Sequence, residues 1–207
     1  VLSQLAKSQI EWQETPGDKR MKMLEDLASA LLAEGSDELA KGAQHFADFA
    51  GISQNGFVAP VRLPGPTGET NDLELLGRGV YLVQADQGAE PGRVMRHVAA
   101  AVAAGNAGLL AGNDKWLSRL EKQFAAHDLP KSLLRVVGDD AGLATMYGGA
   151  IAGVSWAILS LISDSGIEDD GALPGEMFMH RFATEKTVTI NTTAAGGNAS
   201  LMSMEEA

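Results

Sequence analysis

The chain has 207 residues, enough for one sizeable domain with arms or two small ones, and carries 27 acidic against 16 basic side chains for a net charge of −11. That balance argues against a nucleic-acid partner, because affinity for a phosphate backbone comes largely from Lys and Arg releasing counterions. Cysteine is absent, which excludes disulfides, thiolate nucleophiles and Cys-ligated metals and fits a reducing compartment.

His45, His97, His127 and His180 are far apart and none has metal-ligand spacing, so no metal site is expected. No apolar run approaches the length of a membrane span and no charged-then-apolar leader is readable, which predicts a cytoplasmic protein without a membrane span. The chain opens on Val1 rather than Met and is therefore expected to be a piece of a longer protein.

Residues 1–50 read as a helical arm. Leu2, Leu5 and Ile10 mark a first helix up to Trp12, and Thr15 caps a second with Pro16 in its first turn. Met23, Leu24, Leu27, Leu31 and Leu32 form the apolar stripe of that second helix, and Gly35 ends it. Ser36 or Asp37 caps a third, with Leu39, Phe46 and Phe49 inward. From 51 to 78 the glycines and prolines forbid a long helix and leave extended segments at 57–63 and 73–76.

The centre of the chain lies between Gly79 and Asp114. Residues 79–84 are apolar and β-favouring, and Pro91 suits a first helical turn. Val94, Met95, Val98, Ala101 and Val102 recur at helical spacing, Gly105-Asn106 stops the helix, and a second strand runs over 107–111. Strand, helix and strand with short joints make a βαβ unit with parallel strands and a right-handed crossover. An amphipathic helix over 115–127 carries Trp116, Leu117, Leu120 and Phe124 inward, a third strand covers 133–137, Asp139 or Asp140 caps a short helix through Tyr147, and a fourth strand covers 151–156, followed by apolar residues to 162. The predicted fold class is α/β, a Rossmann-like, mostly parallel sheet with helices on both faces, over residues 51–162.

Residues 163–176 are acidic and Gly-rich and read as a linker; the spacing of Asp164, Glu168, Asp169 and Asp170 lacks the alternation of a calcium loop. Residues 177–182 and 186–191 flank a turn and predict a β-hairpin flap over 177–191, which needs cover because a lone hairpin is marginal in water. Its outer edge suits a partner strand, and the small residues of 192–207 suit a docking tail that orders only on a surface. Thr187, Val188, Thr189, Ile190, Asn191, Thr192, Thr193, Gly196, Gly197, Asn198, Leu201 and Met202 are the candidate docking residues. Arg93, Arg96 and His97 read as the solvated face of their helix, His127 as a surface or capping residue, and Trp116 and Trp156 as core.

Leu63-Pro-Gly-Pro-Thr-Gly-Glu-Thr-Asn-Asp-Leu, Arg78-Gly79-Val80 and Ala100-Ala-Val-Ala-Ala-Gly-Asn-Ala-Gly-Leu-Leu together resemble the cofactor-binding half of the aldehyde dehydrogenase superfamily, and Trp12, Pro16 and Arg20 fit the same pattern. The run Thr187-Val-Thr-Ile-Asn-Thr-Thr-Ala-Ala-Gly-Gly-Asn-Ala-Ser-Leu-Met resembles the C-terminal motif of the proline utilization A family, bifunctional enzymes that take proline to glutamate. The resemblance implies FAD and NAD in a parent protein, and a catalytic aldehyde dehydrogenase domain, of the same chain or of a second protomer in a homo-oligomer, as this segment's partner.

The family's working parts are missing from this segment. It has no Cys nucleophile, and it skips the region that carries the general base. Ala85-Asp86-Gln87-Gly88 stands where the family has an oxyanion-stabilising Asn turn. Ala111-Gly112-Asn113-Asp114 stands in place of Lys-Pro-Ser-Glu, with Asp114 alone able to accept a ribose hydroxyl. Trp156-Ala157-Ile158-Leu159 stands in place of the Gly-containing turn that meets the pyrophosphate. The expected function is a non-catalytic domain, itself without cofactor, that braces the catalytic domain and helps seal a substrate-channelling cavity. The alternative is a domain that retains NAD binding or sensing.

Overall fold

A computed structural model describes residues 1–54, 57–138, 141, 144, 156–162 and 173–191, with the side chains of 156–162 left aside. Three helices lead: α1 (Leu2–Glu14), α2 (Gly17–Ala33) and α3 (Asp37–Ile52). Ser36 caps α3, its hydroxyl accepting from the Leu39 amide, whereas Thr15 turns back to donate to the Glu11 carbonyl at 2.8 Å and Pro16 occupies the cap of α2. The inward residues of α2 and α3 are as the periodicity predicts, except that Leu32 is exposed, as is Ile10 in α1.

Next come strands β1 (Val61–Leu63), β2 (Glu69–Gly77) and β3 (Val80–Ala85), helix α4 (Pro91–Ala103), β4 (Ala107–Ala111), α5 (Lys115–Ala126), β5 (Leu134–Val137) and β6 (Trp156–Ile162). Helix α6 (Gly175–His180) and strand β7 (Ala183–Asn191) close the described part. Strands β5, β4, β3 and β6 lie in that order in one sheet, and every pairing in it is parallel. Helix α4 packs on β3, β4 and β6, and α3 covers α4 in turn. Close approach of these two helices rests on Gly42, where a Cβ would strike Met95. Every residue of β4 is buried, and burial pushes the phenol of Tyr81 in β3 far above its ordinary value.

The arm belongs to this core. A helix leaves its last carbonyls without partners of the regular ladder, and α1 supplies donors there: Trp12 Nε1 donates to the Val102 carbonyl of α4 at 2.8 Å, and Gln9 Nε2 donates to the Gly105 carbonyl just beyond the helix at 3.0 Å. Arg20 Nη2 donates to the Phe57 carbonyl at 2.7 Å, and burial lowers its pKa. Asn106, fully buried, joins three segments. Its Oδ1 accepts from the Gly79 amide at 3.0 Å, and its Nδ2 donates to Ala101 at 2.8 Å and Phe182 at 2.9 Å.

Four expectations need correction. Residues 177–182 form no hairpin limb: 175–180 is helical, because Phe178, Met179 and Phe182 share one buried side that packs on α3 and α4. Strand β7 pairs instead with β2, antiparallel, in a second sheet of order β1-β2-β7. The fourth strand of the main sheet spans Trp156–Ile162, since the register with β3 runs from Val80↔Trp156 to Ala85↔Ile162. His97 and Arg96 are not a solvated face: His97 is buried edge-on against Phe178 at 4.9 Å, and the Arg96 guanidinium lies 4.2 Å from that ring's centroid. The predicted helix to Tyr147, residues 151–155, Trp156 as a core side chain, most of the linker (163–172) and the tail (192–207) lie outside what the structure describes.

Candidate functional site

In a doubly wound sheet a dinucleotide meets the carboxyl ends of the parallel strands, here the turns after Ala85 and Ala111. The two turns are tied to each other. The Gly88 amide donates to Asp114 Oδ2 at 3.2 Å, linking the turn after β3 to the residue that precedes α5. Leu117 closes over Gly112 so tightly that a Cβ there would lie 2.6 Å from its Cδ1. At the start of α4, where unpaired amides attract anions, Glu90 Oε2 already accepts from the Arg93 amide at 2.7 Å. Asp86, Glu90 and Asp114 surround this crevice with negative charge, which opposes a pyrophosphate. Among the described residues, the one group expected to hold a ribose, Asp114, thus accepts a hydrogen bond within the protein, and the start of α4 is capped by a carboxylate.

The second candidate is the edge of the small sheet. Thr187, Val188, Thr189, Ile190 and Asn191 pair with Leu73, Asp72, Asn71, Thr70 and Glu69 respectively, so one edge of β7 is spent on β2. Thr189 Oγ1 donates to Asn71 Oδ1 at 2.6 Å and Lys186 pairs with Glu74 at 3.0 Å, which fixes the register. Among the described residues no strand pairs with the other edge. Its nine residues contain no proline, and Ile190 is 54% exposed. The opposite margin differs: β1 has three residues, between Pro60 and Pro64. Proline on a short edge strand blocks further pairing; a long proline-free one invites it. Thr192, Thr193, Gly196, Gly197, Asn198, Leu201 and Met202 lie outside the described residues, so only the β7 part of the predicted docking set is seen together.

Among the described residues no group of three His, Cys, Asp or Glu side chains is arranged to hold a metal ion, and no helix is long and apolar enough to cross a membrane. Sequence reasoning missed the role of Asn106, which it read only as a helix stop. A carboxamide placed between an Ala-rich helix and a buried strand has to find partners, and that was the available signal.

No family model matches the chain. Over 172 residues it is 32% identical to the bifunctional protein PutA of Salmonella typhimurium, a match that takes in 75% of this chain and 12% of that protein. The fold superposes on proline utilization A from Bradyrhizobium japonicum with a TM-score of 0.62 at 23% identity, covering 76% of this chain and 18% of that one. It also superposes on an NAD-dependent benzaldehyde dehydrogenase from Corynebacterium glutamicum, with a TM-score of 0.55 at 17% identity over 76% of this chain and 43% of the other. The chain thus spans less than a fifth of the length of either PutA relative. In sequence over three quarters of its length, and in fold, this chain resembles a segment of the PutA proteins built as an aldehyde-dehydrogenase-like Rossmann unit.

Proposed function

We propose that this chain is a non-catalytic domain of a bifunctional proline-catabolic enzyme, and that it braces the catalytic aldehyde dehydrogenase domain and helps wall the cavity through which the intermediate passes. The observation that carries this reading is the pairing of a proline-free, exposed edge on β7 with a dinucleotide crevice bridged by Asp114 and Gly88. An edge strand of this kind supplies main-chain hydrogen bonds to an added strand, and alternate side chains such as Ile190 supply selectivity. A wall of this kind performs no chemistry; it keeps the effective concentration of the intermediate high between two active sites. FAD and NAD then belong to the catalytic domains of the parent, and this segment holds neither.

The test is made on the full-length parent enzyme, truncated so that residues 192–207 are missing, and separately carrying Ile190→Lys on β7. Proline oxidation should be retained, while the lag of the coupled reaction from proline to NADH lengthens. A coupled time course identical to that of the intact enzyme in both variants would refute the proposal.

A further inference from the structure

Three side chains of the body donate to main-chain carbonyls of the segment that returns to it. Arg96 Nη2 meets the Leu173 carbonyl at 2.8 Å, Asn106 Nδ2 the Phe182 carbonyl at 2.9 Å and Arg78 Nε the Ala183 carbonyl at 2.7 Å. Between these points Phe178 of α6 is fully buried. The His97 ring meets it edge-on at 4.9 Å, the rings of Phe182 and Phe49 lie at 5.6 and 6.1 Å, and the guanidinium groups of Arg96 and Arg181 lie 4.2 and 5.6 Å from its centroid. The two elements that flank this plug are weak by themselves. Helix α6 has six residues, well short of the about 12–15 at which an isolated helix becomes marginal. Strand β7 buries Ala183 alone among its nine residues, half-buries Val188 and exposes the rest, and strand pairing with so little apolar cover is marginal in water.

We propose that residues 173–191 are one strap that opens from and closes on the body as a unit, with Phe178 as its plug, and that the free edge of β7 is set for a partner strand only while the plug is seated. The link between plug and strand is short. Phe182 ends the buried side of the plug, Ala183 begins the strand, and Asn106 and Arg78 grip these two consecutive carbonyls. Once Phe178 leaves, β7 retains its main-chain bonds to β2 and almost no apolar contact. An edge has to be ordered in advance to accept a strand at little entropic cost. The part concerning a partner strand rests on the bracing role; the strap itself rests on the contacts named here.

The test is native-state amide hydrogen exchange on the 207-residue chain, without a partner, under conditions in which the rate reports the opening equilibrium. The probes are the Phe178 and Phe182 amides, which donate to the Pro174 and Met179 carbonyls at 3.0 Å, the β7 amides bonded to β2, and the β4 amides as the core reference. In the parent chain, the strap amides should share one opening free energy, below that of β4. Phe178→Ala should speed exchange along β7 by the same factor as at Phe182, on the order of a hundredfold or more for the loss of a buried ring. Phe178→Leu, which refills most of the space, should speed both by one smaller common factor. Exchange in β7 that ignores both substitutions would show that the strand opens alone. Exchange in β7 as slow as in β4 of the parent would show that the strap has no opening of its own. Either result would overturn the proposal.

Discussion

Replacing Asn106 by Leu removes one acceptor and two donors from a fully buried position. The Ala101 carbonyl keeps a partner, because the backbone amide of residue 106 also donates to it at 3.0 Å. The Gly79 amide and the Phe182 carbonyl lose the carboxamide. Each buried polar group left unpaired costs about 1–3 kcal/mol, so the loss should be about 2–6 kcal/mol against a total stability on the order of 5–15 kcal/mol. For a chain of this size that corresponds to a fall in Tm of about 4–24 °C. Urea unfolding followed by far-ultraviolet circular dichroism would measure it. The variant Asn106→Asp provides an internal control. It keeps the acceptor for Gly79 but directs a carboxylate at two carbonyls, which raises its folded-state pKa. Its stability is therefore poorest at neutral pH and recovers as pH falls and the carboxyl is protonated. A Leu variant within about 1 kcal/mol of the parent would show that water or a local shift satisfies the two groups, and would refute the reasoning.

Gly108 in β4 faces the Tyr81 ring, and a Cβ at that position would run into the phenol. Gly108→Ala should destabilise by about 1–3 kcal/mol as an overpacked core, and adding Tyr81→Val should recover part of that; equal melting temperatures for parent and single variant would contradict the packing. Burial, and then the charge of Arg96, lowers the pKa of His45 below its ordinary 6.5. The unfolded chain therefore takes a proton near 6.5 before the folded chain does, and stability declines as pH falls through that window. His45→Gln should flatten the slope of the urea midpoint between pH 7 and 5, in the range where the unperturbed imidazole titrates, and an unchanged slope would assign it to other groups.

The βαβ centre was legible because its signals are local. Pro91 opens α4, Gly105 with φ of +96° stops it, and β3 and β4 are short apolar runs beside it. The Ser36 cap is legible for the same reason. What escaped was decided by residues far away in the chain. Met177, Phe178 and Met179 lie in a short apolar run that periodicity alone leaves ambiguous, and only the landing of Phe178 on His97 and Arg96 makes it a helix. The same landing turned a solvated face into a buried one. Strand β7 was recognised as a strand, but its partner was misassigned to its sequence neighbour, because a hairpin is the default when two extended runs adjoin. Of the candidate site, residue types marked Asp114 as the group to watch between β4 and α5. The Gly88–Asp114 bridge was not legible, since a bend must bring the two turns together before the contact exists.

The pairing of Gly77 with Ala183 makes the small sheet a seam through which the chain leaves and returns. Everything between those two residues, the whole parallel sheet included, is tethered at ends that lie side by side. The segment is held at that seam and, beyond it, by the donors that α1 gives to Val102 and Gly105 and by Asn106, which donates to the Phe182 carbonyl just ahead of β7. The same geometry orders folding in time. Contacts between β2 and β7 close a very long loop, and their entropy is recovered only after the enclosed unit has condensed and brought its ends together.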